Sequence, residues 1–169
     1  MKKFREKKGF SLVEILIVGF IIAVGLTSLL GLSSFSLRIA GVERETIRAN
    51  ALSQEAMEAV RNFRDEIDWN NDDASDQYDG LGVVTTGIAY HPERSSDSPP
   101  KWMLIQGQET LGIFTRQIMF EDVSRDASKD IEYEYNPVAD DPNTKKVTVT
   151  VFWGAKEVEI TTYFTNWRE

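Results

Sequence analysis

At 169 residues the chain has room for one domain plus an anchor, not for two full domains. Its formal charge of −8 argues against tight nonspecific nucleic-acid binding, which needs clustered Lys and Arg to release counterions. The absence of cysteine excludes disulfides and thiolate sites.

The charge is uneven along the chain. Lys2, Lys3, Arg5, Lys7 and Lys8 against Glu6 give residues 1–9 a charge of +4, so −8 less +4 leaves −12 on the remainder. Behind this head come Gly9-Phe10, then Ser11-Leu12-Val13, then Glu14, and then 23 residues, 15–37, without a charge. As a helix rising ~1.5 Å per residue, that run crosses about 30 Å of hydrocarbon. Basic residues before the span and surplus acid after it predict a cytoplasmic N-terminus with the rest of the chain outside. Glu14 lies just inside the span, where an unpartnered carboxylate costs at least ~2.5 kcal/mol. No Lys, Arg or His lies within reach on its C-terminal side. Cleavage between Gly9 and Phe10 would create a cationic α-amine at membrane depth, and a neighbouring copy could present that amine to Glu14.

The run Lys7-Lys8-Gly9-Phe10-Ser11-Leu12-Val13-Glu14 resembles the prepilin-peptidase junction of type IV pilins and of the pseudopilins of type II secretion. The resemblance covers about the first 35 residues, with leader, Gly, Phe, acid and apolar run in fixed register. It implies that a prepilin peptidase, a membrane aspartyl protease, cuts after Gly9 and N-methylates Phe10. It also implies that Glu14 neutralises the Phe10 amine of an adjacent subunit and sets filament register. The implied partners are other pilin or pseudopilin subunits, the inner-membrane assembly platform and membrane lipid, and the implied fold is the pilin fold. The same residues also admit an uncleaved single-pass anchor whose Glu14 sits among headgroups. A secretory signal fits less well, since its apolar region would be ~7–15 residues long with a small-residue cleavage site behind it.

Helical patterning continues past the span. Residues 38–67 lack proline, and Ile47, Leu52, Ala56, Ala59, Val60, Phe63 and Ile67 recur at helical spacing, with Glu43, Arg44, Arg48, Glu55, Glu58, Arg61 and Arg64 on other faces. One continuous helix is predicted, its first half (residues 10–37) in lipid and its second half against a domain formed by residues 68–169. The run Ala51-Leu52-Ser53-Gln54-Glu55-Ala56-Met57-Glu58-Ala59-Val60-Arg61 further resembles minor pilins and minor pseudopilins. Gly19, Gly25 and Gly31 interrupt the span at up to ~1 kcal/mol each of helix propensity. Gly31 stands where many major pilins carry a helix-bending proline.

The helix is predicted to end near Ile67, because residues 68–80 are dense in turn formers. Within them Asp68, Asn70, Asp72, Asp76 and Asp79 fall at positions 1, 3, 5, 9 and 12 of an EF-hand-like loop, a spacing that folds oxygen ligands around Ca²⁺. Asp73 stands where the EF-hand places a turn-forming glycine, and Asp79 is a shorter carboxylate than the usual bidentate glutamate. Acidic turn loops of this kind are also commonly no more than solvated.

Strand patterns follow at 83–89, 102–106, 112–123 and 131–135, with polar loops at 90–101 and 136–144. The alternation is cleanest last. Val147, Val149, Val151 and Trp153 share one face, and Val158, Ile160, Thr162 and Phe164 repeat the pattern after Gly154-Ala155, a two-residue turn with glycine first. The fold class expected is therefore α+β, with an antiparallel sheet laid on the helix stripe. A single histidine, His91, beside Pro92 in a polar loop, no cysteine, and no phosphate loop or nucleophile elbow argue against an enzyme. A filament subunit is the leading expectation, and a membrane-anchored binding module, such as a Ca²⁺-dependent adhesin, is the other.

Overall fold

The computed structural model describes residues 11–167. Helix α1, Leu12–Glu66, is a single uninterrupted helix of 55 residues. The chain divides into two compact units, Met1–Glu45 and Thr46–Glu169.

In the first unit the described residues after Ser11 are all helical. Its large apolar side chains are exposed from Leu12 to Val42, Phe20 at 70% and Leu37 at 75% among them. The polar groups within this stretch turn back on the helix. The Thr27 hydroxyl donates to the Ala23 and Val24 carbonyls, each at 3.0 Å, and the Ser28 hydroxyl to Val24 at 2.8 Å. Such bonds satisfy hydroxyls where no water is on hand. The helix is long and apolar enough here to cross a membrane.

In the second unit the remaining turns of α1 meet a six-stranded sheet. Its strands are β1 (Ala89–Arg94), β2 (Trp102–Gln106), β3 (Glu109–Leu111), β4 (Phe114–Ser124), β5 (Asp140–Trp153) and β6 (Lys156–Thr165). They run in the order β2-β1-β4-β5-β6, with β3 added to β4. Every pairing is antiparallel. The class is α+β, as the patterning predicts.

The core lies between helix and sheet because both elements present one apolar side at their own period. Ala56, Met57, Val60 and Phe63 pack with Ile118, Phe120, Val147, Val149 and Phe164, and Trp69, Leu81 and Tyr90 complete the cluster. A smaller cluster joins Ala49 to Phe114, Val151 and Trp153. Burying a side chain the size of Phe63 contributes roughly 1.5–3 kcal/mol. One charge enters this interface with its partners. The buried Arg116 of β4 donates to Glu109 at 2.6 Å and to the Leu52 carbonyl of α1 at 3.1 Å, with Glu55 at 3.7 Å. A guanidinium out of water is tolerable only when its donors are used in this way.

Several elements depart from the sequence expectation. Of the predicted stripe, Ile47 is 69% exposed, while Ala49, Ser53 and Met57 are buried on the sheet side. Residues 83–88 form turns, and the strand begins only at Ala89, so that His91 and Pro92 lie in β1 and not in a loop. Proline is accommodated because β1 pairs with β4 at Ala89 and Tyr90 alone, and its cross-strand neighbour Leu104 donates to Gln77 instead. Residues 131–135 make a single bridge, Arg125 to Ile131, and no strand. β5 starts earlier than its alternation suggests, directly after a 3₁₀ turn at Pro137–Ala139. The β5–β6 hairpin is as expected: Trp153 pairs with Lys156, and Gly154 takes φ +59°, the left-handed value that a two-residue turn with glycine first requires.

Candidate functional site

Glu14 stands in the first turn of α1, immediately before Ile15, whose amide donates to the Ser11 carbonyl at 3.2 Å. An acid here is favoured by the unpaired amides and positive dipole end of the helix. Leu12, Val13, Ile15 and Leu16 surround it in sequence and are all at least 60% exposed, so the carboxylate sits in an apolar collar. The next cation along the helix is Arg38, 24 residues on, or about 36 Å at 1.5 Å per residue. No side chain of α1 downstream can reach it. Gly9 and Phe10, the predicted cleavage and methylation positions, lie outside the described residues.

The acidic loop after α1 is shaped mainly by its own hydrogen bonds. Its ends are clamped where the Gly80 amide bonds to the Asn71 carbonyl and the Gly82 amide to the Trp69 carbonyl, each at 2.8 Å. Gly80 is required by this approach, since a Cβ there would come within 2.1 Å of the Asp68 carbonyl oxygen. Inside the clamp, the Asn71 side chain donates to the Tyr78 carbonyl at 2.7 Å, and the Asp79 carboxylate accepts from the Asp73 amide at 2.7 Å. The Ser75 hydroxyl bonds to Asp73 and holds that carboxyl below the ordinary carboxylate range.

The five predicted calcium ligands, Asp68, Asn70, Asp72, Asp76 and Asp79, all lie along this loop. Asp68 and Asn70 line one shallow recess, whereas Asp76 lines another with Gln77 and Leu104. Among the described residues no group of three or more His, Asp or Glu is arranged to hold a metal ion. Asp76 itself adopts φ +58°, three residues beyond Asp73, the position at which an EF-hand uses its glycine.

His91 is half-buried on β1, paired across the strands with Ile105, and its Nδ1 lies 3.3 Å from the Gly107 carbonyl. That contact orients the ring on a backbone carbonyl.

One feature of the β4–β5 connection is missed by patterning alone. Residues 131–135, read from sequence as a strand, instead carry Glu132, Tyr133 and Tyr135 over a cleft floored by β4 and β5 and bounded by Tyr163 of β6. The sequence signal is the unusual density of alternating acid and tyrosine in Glu132-Tyr133-Glu134-Tyr135, which resembles a strand only while its exposure is unknown. Compared with known proteins, the chain matches no family model, no curated protein and no solved structure.

Proposed function

We propose that the chain is a structural subunit, a minor pilin or minor pseudopilin, of a type IV pilus-like or type II secretion filament. The observation that carries this reading is Glu14: a carboxylate in the first turn of an exposed apolar helix, with no cation on that helix for about 36 Å. Processing between Gly9 and Phe10 supplies the missing charge as the amine of Phe10 on a neighbouring subunit. Each charge is costly alone in hydrocarbon, and pairing them offsets part of both penalties. The subunit inserts as a single span with its N-terminus cytoplasmic. On assembly its apolar helix leaves lipid for the helices of neighbouring subunits, while the sheet unit remains on the filament surface. The α+β arrangement, an apolar N-terminal helix whose later turns pack on an antiparallel sheet, is what a pilin fold requires. The proposal assigns no catalytic role to the lone histidine, His91.

Mass spectrometry of the N-terminal peptide from membrane-extracted protein tests the reading. A chain beginning at N-methylated Phe10 is the expected result. Retention of Met1 in all of the material would instead make the protein an anchored binding module.

A further inference from the structure

The cleft at the β4–β5 connection holds about 280 Å³. That is below the roughly 300–1,000 Å³ of sites for whole small-molecule ligands and is on the scale of one side chain. Its walls carry the rings of Tyr133, Tyr135 and Tyr163. The charged groups on its floor are already committed: Glu121 pairs with Lys146 at 2.8 Å, and Asp122 pairs with the buried Lys145. Glu132 differs. Its Oε2 is buried and has no hydrogen-bond partner among the described residues, an arrangement that leaves a carboxylate oxygen out of water and unpaid by any donor. Tyrosine faces and an unsatisfied carboxylate both favour a cation. A guanidinium suits them better than an ammonium, because it is flat enough to stack on a ring, is weakly hydrated, and presents paired donors to a carboxylate.

The surroundings favour a basic polypeptide over an isolated small cation. The connecting loop also carries Asp126, Asp130 and Glu134, all exposed, and Val138 at 94% exposure. Of the connecting loop's two cations, Arg125 is held by Asp141, the Lys129 carbonyl and Thr144, and Lys129 is exposed, against the four acids Asp126, Asp130, Glu132 and Glu134. We infer that this cleft is a docking site for an arginine side chain of a partner polypeptide, with Glu132 pairing to the guanidinium and Tyr133 stacking on it. The inference does not depend on the filament reading, since every residue in it belongs to the sheet unit.

The test uses the full chain in detergent micelles, titrated with an N-acetylated, C-amidated Gly-Arg-Gly peptide and followed by tyrosine ring NMR shifts. Saturable one-to-one binding in the millimolar range or tighter is expected. It should weaken at least tenfold in Glu132→Gln, and severalfold in Tyr133→Ala, a fully exposed residue whose truncation should leave the melting temperature unchanged. Glu134→Gln should alter the affinity less than twofold, and a Gly-norleucine-Gly peptide should not bind. Absence of saturation, or unchanged affinity in Glu132→Gln, overturns the site. Free arginine binding as tightly as the peptide overturns the polypeptide partner.

Discussion

The first and last turns of α1 belong to the same helix and solve opposite problems. From Leu12 to Val42 the large apolar residues go all the way round the helix and remain exposed. From Ala49 to Phe63 apolar residues fall on one side only, at spacings of three and four, and that side is buried against the sheet. Hydrogen bonding cannot tell the two apart, because both are satisfied along the backbone. Solvent can: one stretch is long and apolar enough to cross a membrane, and the other carries its partner within the chain. A charged group facing each stretch, Glu14 in the first and Arg116 of β4 against the second, shows the same contrast. Arg116 reaches its interface together with a carboxylate and a helix carbonyl, whereas Glu14 is offered nothing by its own helix.

All four tryptophans lie at Trp69, Trp102, Trp153 and Trp167, so their fluorescence reports on the sheet unit. Phe63→Ala should therefore lower the stability read by tryptophan by about 3–5 kcal/mol, while Phe35→Ala, in the exposed stretch, should leave it unchanged. A tryptophan transition that responded equally to both would erase the distinction between the two stretches. Glu14→Ala should leave leader cleavage intact and reduce recovery of the protein in sheared filaments by on the order of 50–100-fold, the equivalent of ~2.5 kcal/mol. Normal incorporation of that variant, judged by immunoblot, would remove the charge pair from the mechanism.

Smaller effects sharpen the picture of the sheet unit. Gly80→Ala must push apart two backbone segments and should cost about 1–3 kcal/mol in urea titration. If the loop closes on calcium rather than on its own bonds, millimolar Ca²⁺ will raise the melting temperature over that in chelator, and the penalty for Asp79→Asn will grow with the metal present. At Asp141 burial opposes ionisation, but bonds from Arg125, Thr144 and the Asn143 amide outweigh it and hold the carboxyl below its ordinary value. A carboxyl depressed in the folded state stabilises fully above its unfolded value near 3.9 and loses that contribution as pH falls through the folded value. Asp141→Asn should accordingly cost on the order of 1 kcal/mol at pH 7 and progressively less as the solution is acidified through the folded value, read from tryptophan-detected denaturation across a pH series.

Much of this molecule is written in short-range pattern. An uncharged run of 23 residues, an apolar stripe at helical period, and the alternation of Val147 to Trp153 and Val158 to Phe164 each dictate one element, because periodicity alone decides which side of a helix or strand can be buried. The position of Glu14 before that run, and the Gly9-Phe10 junction ahead of it, are likewise matters of order in the chain. Other features needed the chain to close on itself. Residues 83–88 form turns and 131–135 a single bridge despite their strand-like patterns, and proline enters β1 where its pairing with β4 has ended after Ala89 and Tyr90 and β4 pairs with β3 instead. The spread of the loop acids into separate recesses, the partners of Arg116 and the stranded oxygen of Glu132 are also set only by packing. Contacts between residues far apart in sequence determine which polar groups find partners, and no local pattern encodes them.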